Sequence, residues 1–146
     1  MLIEGLLNKQ LLIYCAQSDN FMEYPMSQAS TNPIEELSPR QVAGLLSTRQ
    51  ILLIDVREPD EYATQRISGA LLCPLSTLDA LTLPPDESRR VVFQCGSGKR
   101  SALAARARLA AGALRAAHLT GGIGAWKSAG LPVMQIDPAT GKFVGT

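Results

Sequence analysis

Hydrophobic and polar positions divide the chain into two unlike parts. Near the start, Leu2, Ile3, Leu6, Leu7, Leu11 and Tyr14 recur at helical spacing, which predicts an amphipathic helix over residues 2–15. It carries too little basic charge to suit a membrane surface. Residues 17–32, with Ser18, Asp19, Asn20, Ser27, Ser30, Thr31 and Asn32, read as a polar linker. We expect residues 1–32 to be an N-terminal extension, with Met26 as an alternative start. A domain is expected over 33–136 and a tail over 137–146.

Beyond Pro33 the pattern becomes regular. Ile34-Glu35-Glu36-Leu37 predicts a short strand. Ser38 then caps a helix that opens on Pro39, with Ala43, Leu45 and Leu46 on its apolar side. Ile51-Leu52-Leu53-Ile54-Asp55-Val56 is a continuous apolar run, as expected for a parallel strand buried on both faces. Helices are predicted over 59–64 and 76–81, and a strand over 70–73 that Pro74 stops. Val91-Val92-Phe93-Gln94 is a further strand, ending on Cys95. Residues 101–111 are rich in strong helix formers, with Gly112 as cap. A strand over 116–119, a Gly121-Gly122 turn and a helix over 123–129 complete the series. Alternating strands and helices predict an α/β fold with a mainly parallel sheet.

Composition changes this picture little. With 146 residues, 46% hydrophobic and 18% charged, the chain suits one ordinary globular domain. Its formal net charge of +1 argues against general nucleic-acid binding, which relies on many cationic contacts to phosphate. Cys15, Cys73 and Cys95 are odd in number and widely spaced, so neither a disulfide framework nor a zinc site is expected. A reducing, cytoplasmic setting fits. No secretory signal and no run of apolar residues long enough for a membrane span is evident.

The chemistry concentrates in Cys95-Gly96-Ser97-Gly98-Lys99-Arg100-Ser101. Ligands in open α/β sheets bind at the carboxyl ends of strands, and Cys95 is expected at such an end, just before a helix. The helix dipole, the unpaired amides of its first turn and the charges of Lys99 and Arg100 all favour a thiolate. Cysteines so placed have pKa values lowered into roughly the 3.5–7.5 range. Gly96 and Gly98 let successive amides turn inward as an anion nest. A plain core cysteine would not explain the glycines and cations that follow it.

This loop resembles the active-site loop of single-domain rhodaneses, Cys-x-x-Gly-x-Arg-Ser. Asp55-Val56-Arg57-Glu58-Pro59-Asp60-Glu61-Tyr62, continuing to Ile67-Ser68-Gly69-Ala70 and Pro74, is similar to the family's first signature. Thr120-Gly121-Gly122-Ile123-Gly124-Ala125-Trp126, with Gly130-Leu131-Pro132-Val133, is similar to its last. The resemblance implies a three-layer rhodanese-like fold, a five-stranded mainly parallel sheet with helices on both faces. It also implies sulfur transfer. The Cys95 thiolate takes the sulfane sulfur of a small anionic donor such as thiosulfate, and passes it from a persulfide to cyanide, a thiol or an acceptor protein. Lys99 and Arg100 attract the donor, the amides of residues 96–100 hold the persulfide, and no metal or organic cofactor is implied.

Rival readings are a protein-to-protein sulfur relay, a regulatory rhodanese-like binding module, and a Cdc25-type phosphatase or arsenate reductase. In the phosphatases one more residue separates cysteine from arginine; here four residues separate Cys95 from Arg100, which favours sulfur. The family's usual Gly-His is replaced by Gln65-Arg66, and Gly96 stands where a longer polar residue is common. Elsewhere plain structural roles are expected. Arg57 and Glu61, four apart, are read as an ion pair, and Asp55 as a support for turns. His118, Cys73 and Trp126 are read as packing residues, with a resolving thiol as the second reading of Cys73. Arg106, Arg108 and Arg115 are placed on a solvated face.

Overall fold

The computed structural model describes residues 34–85 and 89–145. The expectations for residues 1–32, including the helix, Met26 and Cys15, lie outside the described residues. The elements run β1 (Ile34–Leu37), α1 (Pro39–Ser47), β2 (Ile51–Asp55), α2 (Pro59–Thr64), β3 (Gln65–Arg66) and β4 (Leu71–Leu72). A 3-10 turn (Leu75–Thr77) leads on to β5 (Arg90–Gln94), α3 (Lys99–Ala110), β6 (Ala116–Leu119), α4 (Gly122–Ser128), β7 (Met134–Ile136) and β8 (Phe143–Gly145).

Five strands form one parallel sheet in the order β1-β6-β5-β2-β4. Side chains alternate across it, and the apolar runs of β2 and β5 serve both faces. Ile51 and Leu53 of β2 and Val92 of β5 join Val42 of α1 and Ile123 and Trp126 of α4 in one cluster. Ile54, Val91 and Phe93 join Ala104 and Ala105 of α3 in the other. Helices therefore cover both faces, and residues at the sheet's carboxyl edge sit between two packed layers.

Local chemistry explains the main boundaries. Ser38 and Gln41 form a reciprocal capping box at the start of α1: Gln41 N donates to Ser38 Oγ at 3.4 Å and Ser38 N to Gln41 Oε1 at 2.9 Å. The helix expected over 76–81 is only the 3-10 turn Leu75–Thr77. Its bonds are of the i to i+3 kind, Thr77 N to Pro74 O and Leu78 N to Leu75 O. Asp79 then accepts from Leu81 N through its side chain, which offers the backbone a turn in place of a helix.

A second sheet, β3-β7-β8, is antiparallel and has no counterpart in the sequence pattern. It uses residues read as a C-terminal tail: β8 pairs with β7, and the Arg66 guanidinium lies 5.1 Å from the Tyr62 ring centre and 4.9 Å from that of Phe143. Among the described residues no helix is long and apolar enough to cross a membrane.

Candidate active site

Cys95 follows directly on β5, and α3 begins at Lys99. Between them the chain must turn within three residues, and Gly98 makes this possible at φ +95°, the left-handed region open to glycine. The turn leaves Cys95 1% exposed and aims Gly98 N–H at Sγ from 3.1 Å. Ser101 Oγ, in the first turn of α3, lies 3.6 Å from Sγ. Burial pushes the thiol pKa up. The Ser101 hydroxyl and the amides of Ser101, Ser97 and Gly98 outweigh it, so the net shift is downward.

The rest of the loop divides by exposure. Ser97 and Lys99 face solvent, Gly98 and Ser101 are buried, and Gly96 and Arg100 are half-buried. A side chain at position 96 would meet Arg100 Nη2 at 3.4 Å, so the glycine leaves room for the guanidinium beside the loop. Arg100 itself is held by Glu61 of α2, Nη1 to Oε2 at 2.7 Å and Nη2 to Oε1 at 2.8 Å. That pairing draws the Glu61 carboxyl down to about 2.

The expected Arg57–Glu61 pair does not form. Arg57 precedes α2, and the extended Glu58 between them, φ −77° and ψ 160°, breaks the helical spacing that would bring the two together. Arg57 instead folds back on Asp55 at the end of β2, with Nη2 2.7 Å from Oδ2, and donates to Gln65 O. Asp55 also accepts from Arg57 N, which is the turn support expected of it.

The first turn of α4 completes the loop's setting, a role the sequence reading reduced to a simple turn. Ile123 N donates to Cys95 O at 2.8 Å and Gly124 N to Gly96 O at 3.1 Å. A Cβ on Gly122 would overlap Cys95 O, so glycine there is what lets the two segments approach. The last signature thus works as a clamp on the cysteine loop.

Trp126 is buried and its Nε1 donates to Pro132 O, a packing anchor. Cys73 is half-buried against the same cluster as Cys95. Arg106 and Arg115 are exposed. Arg108 is not: it is 4% exposed and donates to Pro84 O. It continues the buried stripe Ser101, Ala104, Ala105 of α3, a spacing the sequence carried. His118 is buried on β6, in register with Phe93 of β5, and its Nδ1 lies 3.1 Å from Ser101 Oγ.

Cys95 is thus buried at a strand end and faced by amides at a helix start, an arrangement on an α/β scaffold that can stabilise a thiolate or another anion. The Rhodanese-like domain matches residues 38–129, and the chain belongs to that family. It is 36% identical to the uncharacterized protein slr1261 of Synechocystis over 76% of this chain and 62% of that one. With a sulfurtransferase of Allochromatium vinosum the identity is 37% over 68% of this chain and 90% of that one. A rhodanese-related protein from Thermoplasma volcanium superimposes with a TM-score of 0.60 at 26% identity, over 68% of this chain and 96% of that one.

Proposed function

We propose that this protein is a sulfurtransferase of the rhodanese type, with Cys95 as nucleophile. The observation that carries the reading is the Gly98 N–H aimed at Sγ from 3.1 Å in a loop that also lowers the thiol pKa. A sulfur anion is stable there, before and after it gains a second sulfur.

The reaction has two displacements. The Cys95 thiolate attacks the outer sulfur of thiosulfate; the sulfur–sulfur bond of the donor breaks and its electron pair leaves with sulfite. Cys95 now carries a persulfide, and the three negative charges of the reactants are conserved in the products. Cyanide, a thiolate or an acceptor protein then attacks the outer sulfur and restores the Cys95 thiolate. Lys99 and Arg100 supply positive charge where sulfite departs, while the amides of residues 96–100, with Ser101, hold the anionic sulfur.

Intact-mass measurement after thiosulfate treatment tests this. A gain of one sulfur that disappears in Cys95→Ser is expected. No adduct, together with turnover of an aryl phosphate, would overturn the reading in favour of phosphatase chemistry.

A further inference from the structure

The Ser101 hydroxyl has one hydrogen and three neighbours: Gly98 O at 3.0 Å, His118 Nδ1 at 3.1 Å and Cys95 Sγ at 3.6 Å. All three residues that meet it are buried. Gly98 O already accepts the helical bond from Ala102 N at 3.1 Å, so it does not depend on the serine. When sulfur is neutral its S–H can point at Ser101 Oγ. Once sulfur is anionic, it needs the serine hydrogen in return.

The histidine decides whether that hydrogen is free. A bare Nδ1 is a third acceptor and draws the hydroxyl hydrogen away from sulfur. A protonated Nδ1 does the reverse, because it donates to a lone pair on Oγ and leaves the hydrogen to turn elsewhere. Such a chain also polarises the hydroxyl, making it a better donor.

We propose that His118 is a positioning residue for Cys95: with its hydrogen on Nδ1 it donates to Ser101 Oγ and so turns the Ser101 hydroxyl towards sulfur. The proposal rests on Cys95 being the nucleophile of the sulfurtransferase reading above. No proton passes between His118 and sulfur; the effect is orientation and polarisation of one hydroxyl. It adds to the site a residue that lies beyond the loop and on the neighbouring strand.

The charges around this chain are few. Glu36, the register partner of His118 on β1, favours the imidazolium, and Arg106 of α3 opposes it. Phe93, its partner on β5, is uncharged. Around sulfur stand Arg100 and, through it, Glu61 and Glu58. Burial outweighs Glu36 and holds His118 below its ordinary 6.5, so the ring is neutral at pH 7. A neutral ring carries one hydrogen, and the proposal places it on Nδ1, the nitrogen that faces Ser101 Oγ at 3.1 Å.

The test is the pH dependence of Cys95 alkylation by iodoacetamide in the full chain, read on the Cys95 peptide so that Cys15 and Cys73 do not interfere. His118→Phe keeps the ring volume and removes the donor. We expect its alkylation midpoint to rise by about 0.5–1 pH unit, a roughly three- to tenfold slower reaction below both midpoints. His118→Asn, which restores an N–H near Nδ1, returns most of the shift. In a Ser101→Ala background, His118→Phe adds nothing further. An unchanged midpoint in His118→Phe overturns the proposal, and so does an equal shift with and without Ser101. Should His118→Phe not fold, His118→Val suits a buried strand and makes the same comparison. Alkylation requires no sulfur donor. Failure of thiosulfate to load Cys95 therefore counts against the sulfurtransferase reading, and an unmoved midpoint counts against His118.

Discussion

Arg100 and Glu61 meet as a two-point ion pair, Nη1 2.7 Å from Oε2 and Nη2 2.8 Å from Oε1, although 38 residues separate them in the chain. The pair ties α2 to the cysteine loop and aims the guanidinium. It also cancels part of the positive charge that a dianionic donor would meet. Glu61→Gln removes the cancelling charge and keeps one acceptor for Arg100. We predict a KM for thiosulfate several-fold lower at low ionic strength, with the gap closing near 1 M salt, where screening extends to a few ångströms. A KM that rises at both salt concentrations would mean that aiming outweighs charge.

The same carboxylate has a pH signature. Its value in the folded protein, about 2, lies below the ordinary 4.5, so the pair contributes its full stability above about pH 4.5. That contribution is lost as pH falls towards 2. Glu61 is 35% exposed and Arg100 36%, so the amount is small, under about 1 kcal/mol. The unfolding free energies of the parent and Glu61→Gln in urea should differ by a constant amount above about pH 5 and converge near pH 2. A difference that persists at pH 2 would assign it to packing.

Two glycines should respond to alanine in opposite directions. Gly122 has φ +58° and its missing Cβ position is filled by Cys95 O. Gly122→Ala is predicted to destabilise by more than about 2 kcal/mol, and to reduce persulfide formation because it displaces the Cys95 carbonyl. Gly44 lies exposed within α1 with open space around it. Gly44→Ala should stabilise by about 0.5–1 kcal/mol. Chemical denaturation of both variants, with equal m-values, checks the pair of signs.

The large sheet and the cysteine loop were legible in sequence for one physical reason. A parallel strand buried on both faces must be apolar throughout, so Ile51 to Ile54 and Val91 to Phe93 identify themselves, and the chain turns at glycine where β5 ends. The small sheet was not legible, because strands of two or three residues show no alternation. Partners were harder still. Spacing of four suggested Arg57 with Glu61, yet that rule holds only inside a helix and Arg57 lies before one. Which strand neighbours β5 is a matter of topology, so nothing in the sequence placed His118 beside Ser101.

Asp55 and Arg57 show what an ion pair is worth when both partners are buried. Asp55 is fully buried and Arg57 4% exposed, and the guanidinium places Nε 3.0 and 3.1 Å from the two carboxylate oxygens. The pair stands at the end of β2, whose register partner for Asp55 is Gln94, the residue before Cys95. Removing one member strands the other charge in a region where it cannot be hydrated. We therefore predict that Arg57→Leu and Asp55→Leu each destabilise by about 3–5 kcal/mol. Removing both charges should be much less harmful, since no ion is then left without a partner. Equilibrium unfolding of the two single variants and the double one forms the cycle that measures the coupling. If the double variant loses the sum of the single losses, the pair is not coupled and Arg57 acts through Gln65 O alone.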